Sequence, residues 1–245
     1  MRYILTFCML MVLASTADAG GMAVSYKVKG AAYEGYFIAQ KSKAPLVLLI
    51  HDWDGLTDYE VKRAHMLADL GYTVFAADLF GVGVRPTTTE EKRKLTGALY
   101  TDRDKMRSLL NGALQAAKAK GGDIVNAVAM GYCFGGAAVL ELARSGADLK
   151  GFVAFHGGLE TPSGQDYSKT KGKLLILHGT ADSSVSMEDF AKLATELEEK
   201  GMAHEMITYS GAPHAFTVFG SDRYHKDADQ KSWQRFIGFL QETLK

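Results

Sequence analysis

The sequence predicts an α/β fold: one domain on a mostly parallel sheet, with helices on both faces. Three observations predict it. Short, nearly continuous apolar runs alternate with longer segments of helical period. Glycines fall where helices should end. One apolar run breaks into Gly131-Tyr132-Cys133-Phe134-Gly135-Gly136 before a helical pattern begins. Parallel strands covered on both faces have no polar side to present, so they read as unbroken hydrophobic stretches.

In chain order, the runs at 46–50, 73–77, 124–130, 152–155 and 174–177 fit that description, and 204–209 is a further strand. Helical patterns lie at 59–70, 103–119, 137–144, 188–200 and 227–243; in the last, Trp233, Phe236, Ile237 and Leu240 share one face. Gly71 and Gly201 each stand between a helix and a strand, where a C-cap glycine belongs. The segment 81–99, with Pro86 and the Thr87-Thr88-Thr89 run ahead of Glu90, reads as a loop and a short helix above the strand ends.

A chain of 245 residues with 47% hydrophobic residues has the material for a sizeable single core. Its formal net charge is zero and its lysines and arginines do not cluster, which argues against a nucleic-acid-binding face. No P-loop or dinucleotide fingerprint appears, so no cofactor is implied. The histidines lack metal-ligand spacing, so no metal is implied either.

Residues 1–19 form a separate segment. Met1-Arg2, the apolar run 3–13 and Ala17-Asp18-Ala19 have the order of a secretory signal peptide with an A-x-A cleavage site. Ser15, Thr16 and Asp18 interrupt the run too early for a membrane span, which needs about twenty apolar residues. The expectation is an exported protein, periplasmic or secreted, whose mature domain is 20–245 and carries no membrane segment. Cys8 would leave with the leader. Cys133 would then be the sole cysteine of the mature chain, with no intramolecular disulfide possible.

The Gly131–Gly136 stretch carries the chemistry. A strand entering a helix through one sharp turn holds the middle residue in a strained conformation, and flanking side chains there would strike neighbouring backbone. Cys133 is thereby presented at the carboxyl end of a strand, where open α/β sheets bind ligands. It also sits at a helix N-terminus, where unpaired N–H groups and the helix dipole favour thiolate over thiol. An arbitrary lone cysteine is ordinarily buried and inert, but the glycine frame around this one points the other way.

A thiol attacks a carbonyl well when a base takes its proton and a carboxylate fixes the base. Asp182 follows the 174–177 strand and His214 follows the 204–209 strand, both in glycine-containing loops. Singly, a loop aspartate is a solvated turn residue and a lone histidine a surface or core residue. Chain order, strand-end position and glycine context together select Cys133, Asp182 and His214 as a set. Trp53, Phe80, Tyr132 and Phe216 are candidates for an apolar pocket, although aromatic residues at strand ends are as often core. His156, after the 152–155 strand, is a further pocket candidate with a structural alternative, and His51 is placed to brace its loop. A different class of reading is a non-catalytic or redox module in which Cys133 is a thiol sensor; such a module has no need of Asp182 and His214 in this order.

Over nearly all of 26–245 the sequence resembles the dienelactone hydrolase family of α/β-hydrolases. The resemblance rests on the Cys133 turn, His178-Gly179 followed by Asp182, and Gly211 followed by His214-Ala215-Phe216. It rests also on Leu49-Ile50-His51-Asp52-Trp53-Asp54-Gly55, leading to Gly71-Tyr72 and Asp78-Leu79-Phe80-Gly81. It implies a hydrolase of small-molecule esters or lactones, with Cys133 as nucleophile, His214 as base, Asp182 as its orienter, and the backbone N–H groups of Phe134 and Trp53 as oxyanion hole. Two positions depart from the family pattern. Asp52 stands where a glutamate usually touches the thiol, making it a candidate modulator of Cys133. Gly81-Val82 and Thr217-Val218 stand where arginines usually hold a substrate carboxylate, with Arg85 the nearby candidate substitute. The sequence leaves the natural substrate and the oligomeric state open.

Overall fold

A computed structural model describes residues 20–244, so the expected leader at 1–19 lies outside the described residues. The chain begins with β1 (Met22–Val28) and β2 (Ala31–Ile38), then β3 (Pro45–Ile50), α1 (Asp58–Asp69), β4 (Thr73–Ala77), α2 (Thr89–Thr101) and α3 (Arg103–Ala119). It continues with β5 (Asp123–Tyr132), α4 (Phe134–Arg144), β6 (Gly151–Phe155), β7 (Lys173–Gly179), α5 (Met187–Glu199), β8 (His204–Tyr209) and α6 (Lys226–Thr243). The eight strands form one sheet in the order β1-β2-β4-β3-β5-β6-β7-β8, parallel from β4 to β8 and antiparallel at the β1–β2 and β2–β4 edges.

The six strands read from the sequence are all present, as are the five helical patterns. The β1–β2 hairpin is an addition. Its turn is Lys29-Gly30, both at positive φ (48° and 85°), the conformation a two-residue hairpin requires. In β1 only Val24 is fully buried, so this edge strand carries no continuous apolar run. The short helix expected within 81–99 is a correction as well: α2 runs thirteen residues to Thr101, opened by a Thr88/Glu91 capping box in which each side chain accepts from the other's backbone N–H.

Alternate residues of each central strand feed opposite cores. Leu46, Leu48 and Ile50 of β3 join Leu109, Leu110 and Ala113 of α3 and Val139 and Leu142 of α4 on one side. Val47 and Leu49 join Ala64 and Leu67 of α1 and Phe236 and Leu240 of α6 on the other. Helices α1 and α5 end in the same way. Gly71 and Gly201, at φ 94° and 62°, let the N–H groups of 71 and 72, and of 201 and 202, turn back onto carbonyls of the last helical turn.

The chain leaves β3 toward β4 on one side, while β5 lies on the other side of β3. At such a reversal the loops beyond the strand ends diverge and leave a crevice. The loop after β3 and the turn after β5 therefore flank the same opening.

One buried ion pair joins α1 to α6. Arg63 is 1% exposed, and its guanidinium binds Asp229 and donates to the Thr217 carbonyl at 2.9 Å. The rings of Phe219 and Trp233 lie 4.2 and 4.9 Å from it. Removing one partner of a buried pair strands the other charge without water. Asp229→Ala should therefore lower unfolding free energy by about 3–5 kcal/mol, read as a shifted urea midpoint at constant slope; a loss under about 1 kcal/mol would place the pair among weak surface contacts.

Candidate active site

Cys133 connects β5 to α4 at φ 50°, ψ −113°, and its N–H donates to the Phe155 carbonyl at 3.0 Å. No room exists beside it for side chains. A Cβ on Gly131 would lie 2.3 Å from the Gly135 carbonyl, and one on Gly135 would lie 2.4 Å from the Ile50 carbonyl oxygen. The sulfur meets His214 Nε2 at 3.1 Å, and His214 Nδ1 meets Asp182 Oδ2 at 2.7 Å. The other Asp182 oxygen accepts from the N–H groups of Ser184 and Val185 at 2.8 and 2.9 Å, so the carboxylate cannot rotate away from His214. These three residues, separated widely in sequence, form one hydrogen-bonded line.

Burial alone would depress the imidazole of His214. Its hydrogen bonds to Asp182 and Cys133, and the negative charge of both, outweigh that and raise it to about 10. Burial raises Asp182, but the bonds from His214 and the two backbone N–H groups prevail, and it falls below the ordinary carboxylate value. Such a histidine holds its proton through neutral pH.

Behind His214 stands His156, fully buried at φ 40°, with ring centroids 5.4 Å apart at a steep angle. Burial, and then the neighbouring positive His214, push His156 well below its usual value, so it is a neutral backstop. His156 Nε2 and Tyr59 Oη each lie 2.7 Å from Thr217 Oγ1, and Arg63 Nε donates to Tyr59 Oη at 3.3 Å. The loop that carries His214 is thus tied to α1 and, through Arg63 and Asp229, to α6.

The loop after β3 is held from three directions. His51 Nδ1 donates to the Asp52 carbonyl at 2.6 Å while its Nε2 accepts from Leu79 N–H at 3.1 Å, which fixes one neutral tautomer; burial, the dominant effect, lowers it to about 4. Glu60, at 0% exposure, accepts from Thr57 N–H and hydroxyl, both at 2.8 Å, and more weakly from Asp52 N–H at 3.4 Å. From α2, Lys92 lies 2.5 Å from an Asp54 oxygen and 5.1 Å from the Trp53 ring centroid. The Asp52 carboxylate accepts from Asp54 N–H at 2.8 Å. No hydrogen bond joins Asp52 to Cys133 among the described residues, although both line one cavity. Burial pushes Asp52 up to about 6 and Glu60 up to about 8, the Asp52 charge adding to the latter.

That cavity, about 380 Å³, is lined by Cys133, His214, Trp53, Phe134, Tyr100 and Val218 among others. Several expected lining residues are elsewhere. Tyr132, His156 and Phe216 are fully buried, and Phe80 packs on His51 and Phe134 at 4.6 and 5.7 Å. Arg85 turns away, donating to the carbonyls of Leu56 and Val84. Cationic side chains reach the cavity from other positions, Lys92 on α2 and Arg223 before α6. Lys92 and Tyr100 are eight residues apart on one helical face. A short helix is expected in this segment, and the Thr88-x-x-Glu91 box would have fixed its start; nothing in the pattern around Arg223 marks that residue.

Comparison with known proteins places this geometry in context. The model of the dienelactone hydrolase family matches residues 33–244. Protein usf of Aquifex pyrophilus is 25% identical over 231 residues, spanning 91% of this chain and 99% of that one. Two solved structures share the fold closely. The one named m3DLH has a TM-score of 0.87 at 30% identity, and a dienelactone hydrolase-like promiscuous phosphotriesterase from metagenomic libraries has 0.86 at 29%; each covers 92% of this chain and 99% of its own.

The raised Glu60 carboxyl makes a testable demand on stability. It ionises near 4.5 in the unfolded chain and near 8 in the folded one, so its cost to the fold grows as pH rises between those values and is constant above them. Glu60→Gln removes that dependence. The Tm of the variant relative to wild type should climb from the acid to the alkaline end of this window in scanning calorimetry; a pH-independent difference would show Glu60 ionised throughout.

Proposed function

The chain belongs to the dienelactone hydrolase family and is an ester or lactone hydrolase, and we propose that it works through a covalent acyl-cysteine on a Cys133–His214–Asp182 triad. The observation that carries this reading is the unbroken line from Sγ through the imidazole to the doubly anchored carboxylate, opening on a cavity. In this mechanism the Cys133 sulfur, its proton held by His214, adds to the substrate carbonyl carbon. The carbonyl π pair moves to oxygen, and the resulting oxyanion receives the N–H of Phe134, the first of α4, and that of Trp53. Collapse of the intermediate breaks the ester C–O bond, and His214 delivers its proton to the departing alkoxide. His214, now neutral, takes a proton from water as the water attacks the thioester; the acid leaves and the sulfur regains its negative charge.

Small esters and lactones are the favoured substrates. Arg85 is spent on loop carbonyls, so a substrate carboxylate would have to rely on Arg223, or on Lys92, which Asp54 already holds, with the Asp52 carboxylate opposing it. A thiol sensor needs no histidine held protonated by an anchored aspartate. We further propose export, supported by the leader-like order of residues 1–19.

On chromogenic short-chain esters, Cys133→Ala and His214→Ala should each lose about a thousandfold or more in kcat, and the double variant should lose little beyond either. Asp182→Asn should lose no more than His214→Ala. Wild-type rate in Cys133→Ala would end the triad reading. Expressed with its own leader, the mature protein should begin at Gly20; N-terminal sequencing that finds Met1 on soluble protein would refute export.

A further inference from the structure

Beside the Cys133 cavity lies a second one of about 430 Å³. The two share Tyr100, Gly158, Ser184 and Val185 as a common boundary, and the second adds Arg103, Glu160 and Asp189. Gly158 stands at that boundary, where a Cβ would make ordinary contact with Ala137 Cβ at 3.4 Å and Tyr100 Oη at 3.8 Å. We propose that the two cavities form one cleft, and that the distal chamber binds a neutral, polyhydroxylated arm of the ester substrate. This rests on the ester-hydrolase reading above.

The chamber's charges select that class. Glu141 serves three guanidiniums: Arg107 at 2.6 Å, Arg144 at 3.0 Å and Arg103 only at 3.4 Å. Arg103 is therefore the least compensated of the three, and its partly exposed guanidinium lines the chamber. A ligand acceptor meeting that guanidinium would complete its pairing. Two carboxylates line the same chamber. Glu160 is exposed and makes no ion pair among the described residues, while Asp189 commits one oxygen to the Ser186 N–H and hydroxyl and leaves the other for a ligand. An anionic arm would meet Glu160 and Asp189, and a cationic arm would meet Arg103. An apolar arm would strip water from the Arg103 guanidinium and the free Asp189 oxygen without replacing it. An arm with several hydroxyls accepts from Arg103 and donates to the carboxylates, and the Ser184 and Tyr100 hydroxyls at the boundary extend the same pattern.

The test compares kcat/KM for 6-O-acetylglucose, which carries the arm on the alcohol side, and methyl glycerate, which carries a shorter one on the acyl side. The comparators are butyl acetate, acetylcholine and acetoxyacetate. At least one polyhydroxylated ester should exceed all comparators about tenfold, and Arg103→Gln should reduce that ratio about tenfold. Calorimetry with the Cys133→Ala protein reads the chamber without turnover: the preferred polyhydroxylated ester should bind, and the added Arg103→Gln change should weaken it at least about fivefold. Equal turnover of all the esters, tighter binding of acetylcholine or acetoxyacetate, or binding indifferent to Arg103→Gln would overturn the chamber assignment. Wild-type turnover in Cys133→Ala would instead overturn the triad, and the binding measurement would still decide the chamber.

Discussion

Cys133 adopts a backbone conformation that costs a non-glycine residue on the order of 1–3 kcal/mol, and the structure around it leaves no alternative. Gly131 passes so close to Gly135, and Gly135 so close to the β3 carbonyls, that no side chain fits between them. β5 and α4 are thereby locked at a separation that only this turn can bridge. The strain is held by the packing of a parallel sheet whose strands are buried on both faces, and it aims the sulfur out of that packing. Every other part of the site is measured from this one fixed point.

Around the sulfur, rigidity comes from buried polar groups in unequal charge states. His51 and His156 are kept neutral by burial, and Asp52 and Glu60 are pushed toward their neutral forms. Asp182 alone of the buried carboxylates at the site is kept well ionised, because two backbone N–H groups and His214 all point at it. Concentrating charge on one side of the imidazole, with a neutral ring behind it, lets a single proton on His214 respond to the sulfur and little else. The loop of Trp53 is fixed by the same means, through one neutral histidine, one buried acid and one lysine clamp.

The parts legible in the sequence were those fixed by local chemistry. Strands buried on both faces announce themselves by continuous apolar runs, and the Cys133 turn announces itself because close backbone approach admits only glycine. Asp182 and His214 were found because strand ends are where a parallel sheet presents residues. What escaped was set by tertiary context. β1 and β2 lie at the sheet edge, where partial exposure erases the hydrophobic run. Phe80, Tyr132, His156 and Phe216 occur at the right strand ends, but whether an aromatic ring faces a cavity or fills the layer beneath it depends on distant neighbours: Tyr132 and Phe216 join the layer of α1 and α6, His156 packs on both rings, and Phe80 packs on His51 and Phe134. Arg85 lies near the site in sequence, yet the loop carbonyls beside it claim its guanidinium first.

The ion pair between Arg63 and Asp229 reaches further than the two helices it joins. Asp229 belongs to α6, and the same Arg63 guanidinium grips the backbone of Thr217, three residues beyond His214. The Thr217 hydroxyl in turn meets His156 and Tyr59. One guanidinium thus carries the position of a helix with no atom in the cavity to the loop that bears the imidazole, and a change confined to α6 is felt at the sulfur's partner.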